Sequence, residues 1–346
     1  MSELPTDELL RRVGRAAREH WPEARVSELE PLHGGISSLT FSATLADGRD
    51  ARRPVVIKVA PPGLEPVRNR DVLRQSRVMR ALASSSGVRV PEVLLEDPGS
   101  PPECPPLFVM EFVVGESYEP RWDSSPSPPA PAVVVARALA AASMLARLHR
   151  PAPQRVGLAA EPALSLAQEL ERWARLFATA GHDLRGDEEE LHRALEAGIP
   201  AAVEPRILHG DYRLGNMQFE GERLAAIIDW EIWSVGDPRT DLAWLLMFSD
   251  PALQRLQRRD GANQTAADAM PAHDRLLAEY ASAGGIEAHD LAWFQAFVQY
   301  KLASTMSVLA KRNRRLADPD PGLELVAATL PRAIERGLEL SAASSR

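Results

Sequence analysis

Residues 207–216 read ILHGDYRLGN, and residues 228–246 read IDWEIWSVGDPRTDLAWLL. The apolar run Leu224-Ala-Ala-Ile-Ile228 that leads into the second stretch predicts a buried strand with a carboxylate, Asp229, at its end. Asp211 precedes Asn216 by five positions, so one region supplies a carboxylate, an amide oxygen and a second carboxylate. That set suits phosphoryl transfer: one carboxylate orients and deprotonates a hydroxyl, while the amide oxygen and the other carboxylate hold Mg²⁺ against the phosphates of ATP. His-Gly-Asp alone fits a polar turn equally well, and Asp229 a strand-end cap. The register of Asn216, Asp229, Asp237 and Asp241 with it favours the chemical reading.

The spacing Asp-x-x-x-x-Asn equals that of the protein-kinase catalytic loop, and Arg213 stands where such loops place a cation near the moving phosphate. HGDYRLGN, IDWE and GDPRTDLAW resemble the catalytic and metal motifs of the aminoglycoside phosphotransferase and choline kinase superfamily. In pattern the chain is most similar to members associated with acyl-CoA dehydrogenases. The resemblance implies an α+β, bilobal protein-kinase-like fold. Residues 1–114 would form a small N-terminal nucleotide-binding lobe, an antiparallel sheet with one helix, and residues 115–346 a larger, mostly helical lobe carrying the catalytic loop and acceptor site. It further implies Asp211 and Arg213 as catalytic residues and Asn216 and Asp229 as metal ligands. His209, Asp237 and Asp241 would give structural support, Asp241 by capping the helix it enters and bracing the loop that bears His209 and Asp211.

Upstream, two strand-like runs flank Gly34-Gly35 and the pair ends in a turn at Asp47-Gly48. A hairpin with a glycine-rich tip would let backbone amides approach a triphosphate, with Ser37 and Ser38 as further donors; a plain turn reads the same. Ser38 departs from the Asn that relatives often carry there. Lys58 lies inside the branched apolar run Pro54-Val-Val-Ile-Lys-Val-Ala60 and resembles the kinase strand lysine that grips the α and β phosphates. In the helix expected over 67–84, the family motif REARVLRAL aligns its Glu with Gln75 of RQSRVMRAL, so the usual carboxylate partner of that lysine is missing. Two candidates remain as its partner: Asp71, four residues earlier on the same face, and Gln75 itself as a neutral hydrogen-bond acceptor. Residues 108–115 resemble the family's hinge, where backbone groups near Glu111 to Val113 would bind adenine.

Composition narrows the rest. The 346 residues, 45% of them hydrophobic, can bury a substantial core, and a net charge of −8 argues against a nucleic-acid partner. The apolar run 132–148 is interrupted by Arg137 and Arg147 and is not expected to span a bilayer. An acidic start without an apolar segment and a lone Cys104 fit a cytoplasmic protein, monomeric or homodimeric. The eight scattered histidines give no zinc pattern. Residues 116–131 read as a flexible surface segment and 249–267 as a variable loop, with helices expected over 6–20, 132–149, 166–180, 187–197, 273–283, 289–311 and 323–340. On the helix over 289–311, Trp293 and Phe297 fit either core or an acceptor site, and Lys301 fits an acceptor site facing a neutral or anionic hydroxylated small molecule; the resemblance to members associated with acyl-CoA dehydrogenases implies a hydroxy acid or its thioester. The alternatives are an antibiotic kinase and a nucleotide-binding pseudokinase without turnover.

Overall fold

The computed structural model describes residues 5–32, 38–48, 51–84, 87–254 and 261–344. In chain order its first elements are α1 (Thr6–His20), β1 (Arg25–Pro31), β2 (Leu39–Ala46), β3 (Arg52–Val59), α2 (Val72–Ala83), β4 (Val93–Asp97) and β5 (Leu107–Glu111). Then come α3 (Pro131–Leu148), α4 (Leu166–Phe177), α5 (Glu188–Ala197), β6 (Arg206–Leu208), β7 (Met217–Glu220), β8 (Arg223–Ile227), β9 (Ser234–Gly236) and α6 (Arg239–Met247). The chain continues through α7 (Pro251–Gln254), α8 (Gly261–Asp268), α9 (His273–Ser282), α10 (Leu291–Asn313), α11 (Pro321–Ala327) and α12 (Leu330–Ser344).

Two compact units result. The first comprises Met1–Ser117, Val156–Leu158 and Asn216–Trp233; the second comprises Tyr118–Arg155, Ala159–Gly215 and Ser234–Arg346. The division is therefore not a single cut after residue 114: the β7–β8 hairpin and Asp229 belong with the N-terminal sheet, and the chain changes unit between Gly215 and Asn216.

In the first unit an antiparallel sheet runs in the order β1-β2-β3-β5-β4. Side chains alternate across a strand, so Val55, Ile57 and Val59 of β3 share one face and Lys58 takes the other. The first face is buried with Leu9, Val13 and Ala17 of α1, Leu45 of β2, Leu95 of β4 and Val109 of β5. Each such aliphatic burial is worth about 1.5–3 kcal/mol, which fixes the register of β3 and hence the position of Lys58. The helix expected over 67–84 begins only at Val72, where the Asp71 side chain accepts from Arg74 N–H at 3.0 Å as an N-cap.

The second unit is organised on α10, a 23-residue helix that packs against α4, α5, α6, α11 and α12. Trp173, Phe177, Leu191, Trp293, Phe294, Phe297 and Tyr300 lie in its core. A two-stranded pairing of β6 with β9 sets Leu208 opposite Ser234, so His209 emerges beside the segment that starts α6. Several expectations are corrected. Tyr118, Glu119 and Arg121 are buried, so residues 116–131 are not simply a surface segment. Among the described residues the stretch 249–267 contains α7 and part of α8, and the last expected helix is two, α11 and α12, separated ahead of Pro331, which cannot donate to a continuing helix. By length and composition alone α3 could cross a membrane, which its arginines were expected to preclude; half of it is buried inside the protein, as in a core helix.

Candidate functional site

In the second unit, the loop His209–Arg213 is held by side chains from elements distant in sequence. Asp241, three residues into α6, accepts from the backbone N–H of His209 at 2.6 Å and of Gly210 at 3.0 Å. It braces the loop as expected but does not cap its helix, whose N-cap is Pro238; Asp237 serves that end, accepting from Arg239 N–H at 3.0 Å. Burial alone would push the Asp241 carboxyl up, but His149, with Nε2 at 3.9 Å, and the nearby His209 and Lys301 hold it below its ordinary value. The carboxylate therefore stays charged where two amide donors need it. Gly210 has φ 87°, a left-handed conformation that suits glycine and lets the loop turn under Asp211.

Asp211 itself is held from both ends. Its backbone N–H donates to His209 Nδ1 at 3.2 Å, and its Oδ1 accepts from the Trp244 indole at 2.9 Å. Arg213 Nε stands 3.4 Å from the same carboxylate. The Asp211 side chain nevertheless remains 27% exposed. A fixed yet accessible carboxylate is what a general base requires. The guanidinium of Arg213 lies between Asp211 and Glu119, with Glu119 Oε2 at 3.9 Å and also accepting from Gly215 N–H at 3.1 Å. A Cβ on Gly215 would meet the Arg213 guanidinium at 2.0 Å, so a larger residue there would displace Arg213 from its present place. Burial pushes the Glu119 carboxyl up to about 7 against the opposing pull of Arg213.

Lys301 is not an acceptor-site residue. Its Nζ donates to the Gly210 carbonyl and lies 4.3 Å from the Trp244 ring centroid and 5.4 Å from that of Trp173. Burial lowers its pKa, and the two indoles supply cation–π attraction worth up to about 2 kcal/mol when desolvated. Trp293 and Phe297 are core as well: their rings stack at 5.2 Å and the Trp293 indole donates to Leu195 O at 2.9 Å. The sequence signal that misled was an isolated lysine on an apolar helix, which a cation under a loop carbonyl satisfies equally.

In the first unit, Lys58 Nζ lies 3.0 Å from Asp229 Oδ1 and 3.3 Å from Gln75 Oε1. Of the two candidate partners on and before α2, Gln75 is the one that meets Lys58, and Asp71 is spent as the N-cap of α2. Asp229 adopts φ 62°, and Asp tolerates this left-handed region better than most residues. The β7–β8 pairing places Met217 opposite Ile227, and Ile228 N–H donates to Asn216 O at 2.9 Å, so Asn216 is held beside Asp229. An amide and a carboxylate are hard oxygen donors of the kind Mg²⁺ takes while keeping water and phosphate oxygens for its other positions. Among the described residues no group of three His, Cys, Asp or Glu side chains offers a self-sufficient cage.

Around this pair, Arg74 stacks on Trp233 at 4.0 Å and the two exchange hydrogen bonds, Arg74 to Trp233 O at 2.9 Å and Trp233 Nε1 to Arg74 O at 3.1 Å. Behind it, Met79, Phe108, Met110 and Trp230 line a small recess that also includes Lys58, Gln75 and Asp229. At the expected hinge, Glu111 N–H is taken by Glu92 O at 2.8 Å and Phe112 N–H by Pro54 O at 3.3 Å, while Val113 makes no backbone hydrogen bond among the described residues. Ser38 is described and buried, with its Oγ unpaired among the described residues; Gly34, Gly35 and Ser37 lie outside them. Sequence reading missed Trp244, Glu119 and Arg74. Only Trp244 left a trace, because a helix places it on the same face as Asp241, three residues earlier.

A family model described as "Phosphotransferase enzyme family" matches residues 28–277. Mouse acyl-CoA dehydrogenase family member 10 is 27% identical over 298 residues, 83% of this chain and 26% of that protein, so the chain spans about a quarter of that relative's length. A candidate aminoglycoside phosphotransferase from Ralstonia eutropha superposes with a TM-score of 0.75 at 21% identity, covering 96% of this chain and 98% of that one. The aminoglycoside phosphotransferase APH(4)-Ia, solved with ADP and hygromycin B, gives a TM-score of 0.59 at 14% identity over 94% and 98%. At those identities the structures establish a shared kinase-like α+β fold. The family match over most of its length completes the assignment: this chain belongs to the phosphotransferase enzyme family.

Proposed function

We propose that the chain transfers the γ-phosphoryl group of ATP to a hydroxyl group of a small molecule. The observation that carries this reading is Asp211, fixed by the Trp244 indole, Arg213 and its own backbone bond to His209, yet open to solvent over a quarter of its surface. In this reading Asp211 orients the acceptor hydroxyl and takes its proton as the hydroxyl oxygen bonds to phosphorus and the bond to the ADP leaving oxygen breaks. Arg213 faces the charge that develops on the transferred group, Lys58 binds the α and β phosphates, and backbone near Val113 receives adenine. Asn216 and Asp229 would hold Mg²⁺, whose charge would neutralise that of the phosphates.

For the acceptor, Lys301 no longer argues, since it is buried beneath the loop. Support comes from the relative's name: an acyl-CoA dehydrogenase family member suggests a hydroxylated acyl compound, a hydroxy acid or its thioester. Coupled ADP release with ATP and Mg²⁺, run against hydroxy acids, their thioesters, aminoglycosides and macrolides, tests both levels. Turnover on none of them, with ATP bound, would return the chain to a non-catalytic nucleotide-binding role. Efficient turnover on a polyamine antibiotic, at about 10⁴ M⁻¹s⁻¹ or above, would overturn the acyl reading alone.

A further inference from the structure

The charge balance at Lys58 is unusual for the role proposed. The ammonium is buried, its helix partner Gln75 is neutral, and Asp71 is occupied as a cap, so its one carboxylate neighbour among the described residues is Asp229, at 3.0 Å. Asp229 is also the carboxylate assigned to the metal. The neighbourhood is not free to rearrange: the reciprocal Arg74–Trp233 bonds tie α2, which carries Gln75, to the segment that follows Asp229. A buried cation that loses its only counter-charge is strongly disfavoured.

We propose that Lys58 is a resident stand-in for the metal at Asp229, and that the site loads by exchange: Lys58 leaves Asp229 only when phosphate arrives to receive it and metal arrives to replace it. This rests on the phosphotransferase reading and deepens it. Metal alone would have to strip Lys58 of its partner, and nucleotide alone would meet a lysine already neutralised and a carboxylate that repels it. Metal and nucleotide therefore bind as a coupled pair, each tightening the other. A glutamate at position 75 would give Lys58 a permanent counter-charge and release Asp229, weakening that coupling.

The test is Mn²⁺ binding to the full chain, followed by electron paramagnetic resonance of the free ion, with calorimetric titration of ATP in the presence and absence of Mn²⁺. The expected result is weak binding of Mn²⁺ alone to the native chain, and about tenfold tighter binding to both Gln75→Glu and Lys58→Met, near the lower end of ordinary coupling between sites. Lys58→Met should at the same time bind ATP more weakly, so one substitution moves the two ligands in opposite directions. A merely destabilised variant would weaken both. If neither variant gains Mn²⁺ affinity while the native chain binds ATP with Mn²⁺ normally, the exchange is overturned and the phosphotransferase reading stands. If the native chain binds no nucleotide with Mn²⁺, both fall.

Discussion

The loop 209–213 and the segment 216–233 are near neighbours in sequence, carry the carboxylates of the proposed chemistry, and hold those carboxylates by different means. The loop is over-determined: Asp241 takes two of its amides, Lys301 one of its carbonyls, and Trp244 the side chain of Asp211. The backbone of the Asp229 segment is fixed by the β7–β8 pairing and the Arg74–Trp233 bonds, but the Asp229 carboxylate itself rests on an ion pair that its proposed ligands would have to replace. A base that must meet one atom at hydrogen-bond distance gains from rigidity. Groups that grip metal and phosphate gain from exchangeable partners, because a contact too strong in the empty state opposes loading.

The sharpest way to break this comparison is at the base. Asp211→Asn keeps the shape and removes the proton acceptor, and turnover in the ADP-release assay should fall about 10²- to 10⁴-fold with ATP affinity nearly unchanged. Retention of most of the turnover would remove Asp211 from its role.

Next is the brace. Asp241→Ala leaves two buried amides and the His149 imidazole without their carboxylate, a loss of the kind that costs about 3–5 kcal/mol. Urea unfolding would read it, and a cost below about 1 kcal/mol would mean that the loop is not held from α6.

Glu119 sharpens the comparison through pH. Its carboxyl is raised from 4.5 in the unfolded chain to about 7 in the folded one. Its stabilising share is therefore complete below pH 4.5 and is lost as pH rises through 7, when the unfolded chain ionises freely and the native one resists. Glu119→Gln, which keeps an oxygen for Gly215 N–H, should match the native chain at low pH and exceed it by up to roughly 3 kcal/mol above pH 7. Parallel stability curves across that window would show that Arg213 already compensates the buried charge.

The smallest expected effect is at Trp244. Phenylalanine keeps most of the volume and the face presented to Lys301 but loses the indole donor to Asp211, so kcat should fall about tenfold, one hydrogen bond to a charged group, with KM for ATP unchanged. A change in KM instead would place Trp244 in ligand binding.

Much of this was legible in the chain itself. The Asp211, Asn216 and Asp229 spacing and the branched strand around Lys58 are local patterns, written in the order in which residues follow one another, and the resemblance to the family's helix motif marks Gln75 as a departure. Strand alternation and helical periodicity project such patterns directly onto a sheet or a helix face. What the sequence left open was which partner each charged group meets. Asp71 or Gln75 for Lys58, acceptor or loop carbonyl for Lys301, and surface or core for Glu119 are choices settled by contacts 17, 91 and 96 residues apart along the chain, and no local period encodes them. Only packing decided them: once α10 and α6 bury their apolar faces, a lysine and an indole arrive under the same loop. Burial then makes each polar group's partner obligatory, because an unpaired charge there costs more than the contact that placed it.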